Sequence, residues 1–157
     1  MEGKHLEILG TMVYGIYVMT THHEEEVNGM IVSWVSQVSY DPPLVMAAVH
    51  PNRYSHGLIE RSGSFALHLL RREQKDLIKR FKGPDPAAKF ASLHWSKGKT
   101  GCPILKDCLG YLDCAVRAKY RPGNHTLFVG EVLESRVFSH DVPLSSLNYE
   151  GFYIGRD

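Results

Sequence analysis

The stretch NGMIVSWVSQVSYDPPL, Asn28 to Leu44, decides how the rest of the chain is read. Met30, Ile31, Val32 and Trp34 are strong strand formers, yet Ser33, Ser36 and Ser39 interrupt the run every third residue. Side chains of a strand alternate with a period of two, so Ser33 and Ser39 would share one face and Ser36 the other. Asp41-Pro42-Pro43 then ends the run, because proline removes a ladder donor and restrains the residue before it. A plain strand has no use for hydroxyls at that spacing.

Upstream, TMVYGIYVMTT (11 to 21) is a β-rich run, and the polar HHEEEVNG after it reads as a hairpin loop ending near Gly29. Downstream, LVMAAV (44 to 49) is a nearly continuous apolar strand. Asn52 or Ser55 is placed to cap a helix over 53 to 61, with Leu58 and Ile59 inward and Gly63 past its end. FALHLL (65 to 70) is again a strand, and RREQKDLIKRF is a short amphipathic helix with Leu77, Ile78 and Phe81 on one stripe. The segment KGPDPAAKFASLHWSKGKTGCPIL is turn-rich, with one helical turn near Ala87 to Ala91. YLDCAVRAKY and HTLFVGEVLESRVF are late strands joined by the turn Arg121-Pro122-Gly123-Asn124. About six strands, few helices and no strict βαβ alternation predict a mainly β fold, an antiparallel barrel rather than a doubly wound sheet.

The 157 residues fit one domain spanning 1–157, with roughly two-thirds of the unfolded surface buried. Lys and Arg number 18 against 17 Asp and Glu, a formal charge of +1, which offers no net field for nucleic acid or an anionic membrane. No apolar run reaches about 18 residues, and MEGKHLEILG lacks the apolar block of a signal peptide, so a soluble cytosolic protein is expected. Cys102, Cys108 and Cys114 are spaced C-x5-C-x5-C, which matches neither a zinc knuckle nor a redox C-x-x-C. In YLDCAVRAKY, Leu112, Cys114, Val116 and Ala118 alternate with Asp113, Arg117 and Lys119, which makes Cys114 a small core residue. A metal site built from His5, His22, His23 and the cysteines is the competing reading; His22-His23 beside Glu24-Glu25-Glu26 reads better as a solvated hairpin tip, and no metal ligand is assigned.

The chain has no G-x-S-x-G, H-E-x-x-H, P-loop or G-x-G-x-x-G signature. What it offers instead is donors. Asn28, Ser33, Ser36 and Ser39 surround one strand, and HPNRYSH puts Asn52, Arg53, Ser55 and His56 at a helix start. Unsatisfied N–H groups, a positive dipole end and an arginine suit an oxyanion such as a phosphate ester.

Taken in order, YGIYVMTT, VNGMIVSWVSQVSYDPPLVMAAVHPNRYSHGLIERSGSFALHLL, KTGCPIL and GNHTLFVGEV resemble the flavin reductase-like FMN-binding split barrels, which include flavoredoxins and an archaeal-type ferric reductase. The resemblance runs through nearly the whole chain. It implies a split β-barrel, Greek-key-like, usually a homodimer, with FMN at the barrel edge near the subunit interface and NAD(P)H as co-substrate. By this resemblance Asn28 and Gly29 approach the isoalloxazine and its neighbouring chain, Met30 joins the cofactor contacts, and Trp34 packs beside the flavin. Ser33 and Ser36 serve the ribityl or phosphate end; Asn52, Arg53, Ser55 and His56 form the phosphate turn; Lys89 reaches the cofactor. His125 stands by the flavin where nicotinamide would come, as the candidate catalytic residue, and Phe152 or Tyr153 supplies a tail aromatic. The resemblance leaves two activities open: hydride transfer from NAD(P)H to flavin with electrons passed to free flavin, ferric iron or a redox protein, and an FMN-bound electron carrier that never meets nicotinamide. Hydride transfer is chemistry of the two cofactors, so the absence of a catalytic triad is expected. One departure stands out: the family often has Asp where this chain has Asn124, beside His125. On this reading the opening stretch leaves the sheet around Ser33 to Ser36 and forms one wall of the cofactor site.

Overall fold

The computed structural model describes residues 3–151, 153 and 155. Its main sheet contains β1 (Tyr17–His23), β2 (Glu26–Val32), β3 (Val35–Ser39), β4 (Leu44–Val49), β5 (Ser64–Leu69), β8 (Gly110–Tyr120) and β9 (Thr126–Val137). Two short strands, β6 (Trp95–Lys97) and β7 (Pro103–Leu105), form a separate ribbon. The helices are α1 (Leu6–Gly10), α2 (Tyr54–Ser62), α3 (Asp76–Lys82) and α4 (Pro86–Phe90).

The seven-stranded sheet has the order β2-β1-β5-β8-β9-β4-β3, and its pairings are antiparallel. Its two edge strands are consecutive in the chain, separated only by Ser33 and Trp34. Seven flat strands would be about 29 Å wide, whereas this connection reaches at most about 10 Å. The sheet therefore curls until its edges meet at that corner, as a barrel left open along the rest of the seam. The Ala48 N–H donates to the Trp34 carbonyl at 2.9 Å and fixes the crossing to β4. The opening stretch is thus two strands on opposite edges of one sheet, and it leaves the ladder at Ser33 and Trp34.

Met19, Val32, Ala47, Val49, Ile59, Phe65, Leu67, Cys114 and Phe128 fill the barrel. A second cluster, including Ile16, Val18, Leu70, Leu77, Ile78, Phe81, Phe90 and Leu144, packs α3, α4 and the late chain against the outside. The predicted stripe of α3 is the buried one. In α2, Leu58 and Ile59 face inward and Gly63 ends the helix at φ 70°, its N–H donating to the Ile59 carbonyl at 2.7 Å. Glycine carries that left-handed conformation without a Cβ penalty.

Four expectations are corrected. The hairpin loop is only Glu24 and Glu25: His23 pairs with Glu26, and Glu24 takes φ 53°, so Val27 to Gly29 belong to β2. The first β-rich run becomes ladder only from Tyr17. The turn-rich segment has its expected helical turn, at Pro86–Phe90, but also contains the β6–β7 ribbon, which was not expected. On β8, irregular pairing at Asp113/Cys114 and Val116/Ala118 breaks the simple alternation; Cys114 is in the core, but Asp113 is fully buried too. Its carboxylate accepts from the Thr100 N–H at 3.0 Å and the Thr100 hydroxyl at 2.6 Å. His68, also fully buried, donates from Nδ1 to the Val18 carbonyl and accepts the Leu105 N–H at Nε2, both at 3.0 Å. These two side chains tie the ribbon region to the sheet.

The three cysteines are free and buried, and burial pushes their thiols up to about 11, 11 and 12 for Cys102, Cys108 and Cys114. Among the described residues no three His, Cys, Asp or Glu converge as a metal site, and no helix is long and apolar enough to cross a membrane.

Candidate functional site

A cavity of about 720 Å³ opens beside β2, bounded by the start of α2, the end of α3, α4 and the late chain. Met30, Ile31, Trp34, Ile78 and Phe81 give it an apolar and aromatic bed, while His50, Arg53, Lys82 and Lys89 bring basic groups to it. Among the described residues none of the lining side chains is a carboxylate. An aromatic bed with basic groups and no lining acid suits a flat, anionic ligand.

Asn28 organises the floor. Lysine can only donate, so Lys89 Nζ at 3.0 Å identifies the Asn28 oxygen, and the Asn28 amide N–H donates to Ser55 Oγ at 2.9 Å. Lys89 also donates to the Gly29 carbonyl at 2.7 Å. Asn28, Ser55 and Lys89 are all buried. Among the described residues both acceptors of Lys89 are neutral, and burial holds its pKa below the usual lysine value, with Asp85 pulling the other way. With Asn28 donating to its oxygen, Ser55 keeps its own O–H for another acceptor.

The second basic position is a helix start. Arg53, in extended conformation, is the N-cap of α2 and makes no side-chain cap there. Asn52, Arg53, Tyr54 and Ser55 all line the cavity, so the positive end of a nine-residue helix and a guanidinium face the same space.

The third group is aromatic. The Trp34 ring lies 4.7 Å from His125 and 4.9 Å from Tyr153, centroid to centroid, and His50 lies 5.2 Å from His125. His125 Nδ1 is 2.7 Å from Asn124 Oδ1, and Nε2 is 2.7 Å from the Tyr153 hydroxyl. Burial, with His50 and Arg53 nearby, lowers the His125 pKa and favours neutral imidazole. Trp34 lines the cavity with part of its ring, and its buried Nε1–H has no hydrogen-bond partner among the described residues.

Of the residues predicted from sequence, Asn28, Met30, Ser33, Trp34, Asn52, Arg53, Ser55, Lys89 and Tyr153 line the cavity together. Gly29 contributes its carbonyl to Lys89, and a Cβ there would come within 2.6 Å of Phe81, so the glycine lets the α3 ring pack on the strand. His125 stands behind Trp34 and Tyr153 rather than in the lining. Ser36 and His56 lie apart from the cavity. Ser36 is on exposed β3, its hydroxyl donating to the Gln37 carbonyl, because the turn away from the sheet is complete by Val35. His56 points from α2 into the barrel side, 2.7 Å from the Thr126 hydroxyl and 3.2 Å from the Glu60 carboxylate. Phe152 lies outside the described residues. Sequence reasoning missed Tyr14, His50, Phe81, Lys82 and Tyr149 as lining residues. His50 opens the HPNRYSH turn and was legible there; Phe81 and Lys82 looked like an ordinary helix end.

Fold and site together define a mainly β protein, its curled antiparallel sheet carrying an aromatic, basic cavity at one edge. The family model described as flavin reductase like domain matches residues 9–153, and the chain belongs to that family. It is 33% identical over 148 residues to the reductase subunit HsaB of a flavin-dependent monooxygenase from Mycobacterium tuberculosis, covering 94% of this chain and 79% of that protein. A flavin reductase of Pseudomonas putida is 32% identical over 149 residues, covering 94% and 86%. Among solved structures, an NADH:FAD oxidoreductase of Streptomyces globisporus in complex with NAD and FAD fragments superposes with a TM-score of 0.80 at 26% identity, covering 88% of this chain and 83% of that one.

Proposed function

We propose that the cavity holds FMN and that the protein is an NAD(P)H:flavin oxidoreductase passing electrons to a second acceptor. The observation that carries this is the cavity itself: an aromatic bed, buried Lys89, the α2 start with Arg53, and no carboxylate among its described lining residues. When bound, the flavin supplies hydride acceptance from a reduced nicotinamide and onward electron transfer. The chain supplies the setting. Arg53 and the α2 N–H groups hold the phosphate, Asn52 and Ser33 add polar contacts, and Met30 and Trp34 pack on the ring system. Lys89, held by Asn28 and Gly29, keeps positive charge beside a group that gains electrons. Neutral His125, behind the lining, fixes the Tyr153 hydroxyl and backs Trp34, while Trp34, Tyr153 and Phe81 keep water from the rings, so that alignment rather than acid–base chemistry lowers the barrier.

HsaB is named as the reductase subunit of a flavin-dependent monooxygenase. For this chain, free flavin delivered to a partner oxygenase is accordingly the first acceptor to test, ahead of ferric iron or a redox protein. The deciding experiment has two parts. The purified protein is expected to be yellow, or to turn so with FMN, and to release a species of FMN mass on denaturation. Stopped-flow mixing with NADH and with NADPH is expected to bleach that band. Bleaching by neither nucleotide would replace the reductase with an FMN-bound electron carrier; no uptake of FMN would remove both.

A further inference from the structure

Asn124 uses both ends of its amide. Its Nδ2 lies 3.1 Å from the Gly155 carbonyl, which can only accept, so the nitrogen faces the C-terminal segment and the oxygen faces His125. The Asn124 oxygen in turn requires a proton on His125 Nδ1. In neutral imidazole that leaves Nε2 as an acceptor, and the Tyr153 hydroxyl, 2.7 Å away, donates to it. The same C-terminal segment sits hard against this wall: a Cβ at Gly155, where φ is 78°, would come within 2.6 Å of Trp34 and 3.3 Å of His125. Facing His125 are His50 and Arg53 from the connection between β4 and α2, Trp34 from the β2–β3 crossing, Asn124 from its own turn and Tyr153 from the late chain.

We propose that Asn124 is a positioning residue that sets His125 in the Nδ1–H form and, with the same side chain, pins Gly155 against Trp34 and His125 at the back of the cavity wall. An aspartate at this position could perform the first task but has no N–H for the second. The consequence for catalysis, that this latch holds the Trp34 and Tyr153 wall firm where a nicotinamide would come, rests on the function proposed above; the bonds themselves do not.

The test is nuclear magnetic resonance on the full chain, following the His125 ring nitrogens through a pH titration and backbone hydrogen exchange at Tyr153 and Gly155. Asn124→Asp is expected to raise the His125 midpoint by about one pH unit or more, because a carboxylate beside Nδ1 favours imidazolium, and to speed exchange at the two tail amides by about tenfold, the release of roughly one hydrogen bond. Asn124→Ala is expected to speed exchange equally and to lose the Nδ1–H preference. Parent-like exchange in Asn124→Asp, or an unchanged tautomer in Asn124→Ala, would overturn the proposal. Should either variant fold poorly, Gly155→Ala tests the same latch from the other side: faster tail exchange with the His125 tautomer intact is expected, and unchanged exchange counts against it. FMN titration of the parent separates the two ideas, since a parent that binds no flavin sinks the proposed function and leaves these readouts standing.

Discussion

Lys89 is only 6% exposed, yet the acceptors of its ammonium are the Asn28 and Gly29 oxygens, both neutral. A buried cation so placed is most stable when a ligand brings the opposite charge. Lys89→Met is expected to fold, since it removes a buried charge and keeps the apolar stem. It should weaken FMN binding by about tenfold or more, as loss of a charge-assisted contact implies; equal titration curves for variant and parent would exclude Lys89 from the site. Arg53 is the contrasting case: it caps α2 without a side-chain bond to it, so its guanidinium serves the cavity more than the fold. Arg53→Ala should cost about 1.5–3 kcal/mol of FMN binding, roughly ten- to a hundredfold in Kd. Its unfolding free energy should stay within about 0.5 kcal/mol of the parent. Fluorescence titration and urea unfolding of the same sample check both halves.

Among the elements, α2 and the β6–β7 ribbon have opposite jobs. α2 turns its N-terminus to the cavity and its Leu58–Ile59 face to the barrel, and Gly63 lets the chain reverse into β5. Gly63→Ala has open space for the methyl but must hold φ near 70°, so it is expected to cost about 1 kcal/mol in chemical denaturation, with FMN affinity unchanged. The ribbon makes no lining contact with the cavity. It is held by buried polar anchors: Asp113 on Thr100, His68 on Leu105, and the Thr20 hydroxyl on the Pro103 carbonyl at 2.5 Å. Removing the carboxylate with Asp113→Ala leaves the Thr100 N–H and hydroxyl unpaired and should destabilise the chain by about 2–4 kcal/mol. Hydrogen exchange is expected to show the loss first around Thr100, ahead of the main sheet.

For the molecule as a whole, acid stability has an identifiable source. His68 is buried and neutral, its pKa pushed down to about 4 against 6.5 for an exposed histidine. Between those values the unfolded chain binds a proton that the native one does not, so stability rises with pH. The contribution is fully present above about pH 6.5 and is lost as pH falls toward 4, about 3 kcal/mol for this residue alone. His56 and His125 are shifted the same way by burial and add to the slope. Thermal unfolding followed from pH 7.5 to 4.5 is expected to show a falling Tm, and a flat profile would contradict the buried neutral His68. At the same scale, Ile8, Leu9, Met12 and Val13 stand exposed near the start of the chain, and we propose that they pack against a second copy of it. Light scattering should then give about 35 kDa, twice the 17.7 kDa chain.

Local chemistry made much of this legible beforehand. The apolar run of β4, the stripe of α3, the Gly63 stop and the turn at Arg121 to Asn124 are written in neighbouring residues, because each depends on a period or on one backbone conformation. The segment from Asn28 to Trp34 and the turn from Asn52 to Ser55 were recognisable as donors, and both line the cavity. What the tertiary structure alone decided is which donors share a space. Ser33 lines the cavity and Ser36 does not, since the sheet must curl within Ser33 and Trp34 and the strand resumes on the opposite edge. His56 turns inward to Thr126, and Asp113 is buried under the loop at Thr100, because elements distant in sequence cover them. Lys89 meets Asn28 across 61 positions of chain, and Asn124 meets Gly155 across 31. Local propensity and periodicity act over a few residues, so the sequence by itself determined the elements and the supply of donors, while closure of the barrel decided which of them meet around the cavity.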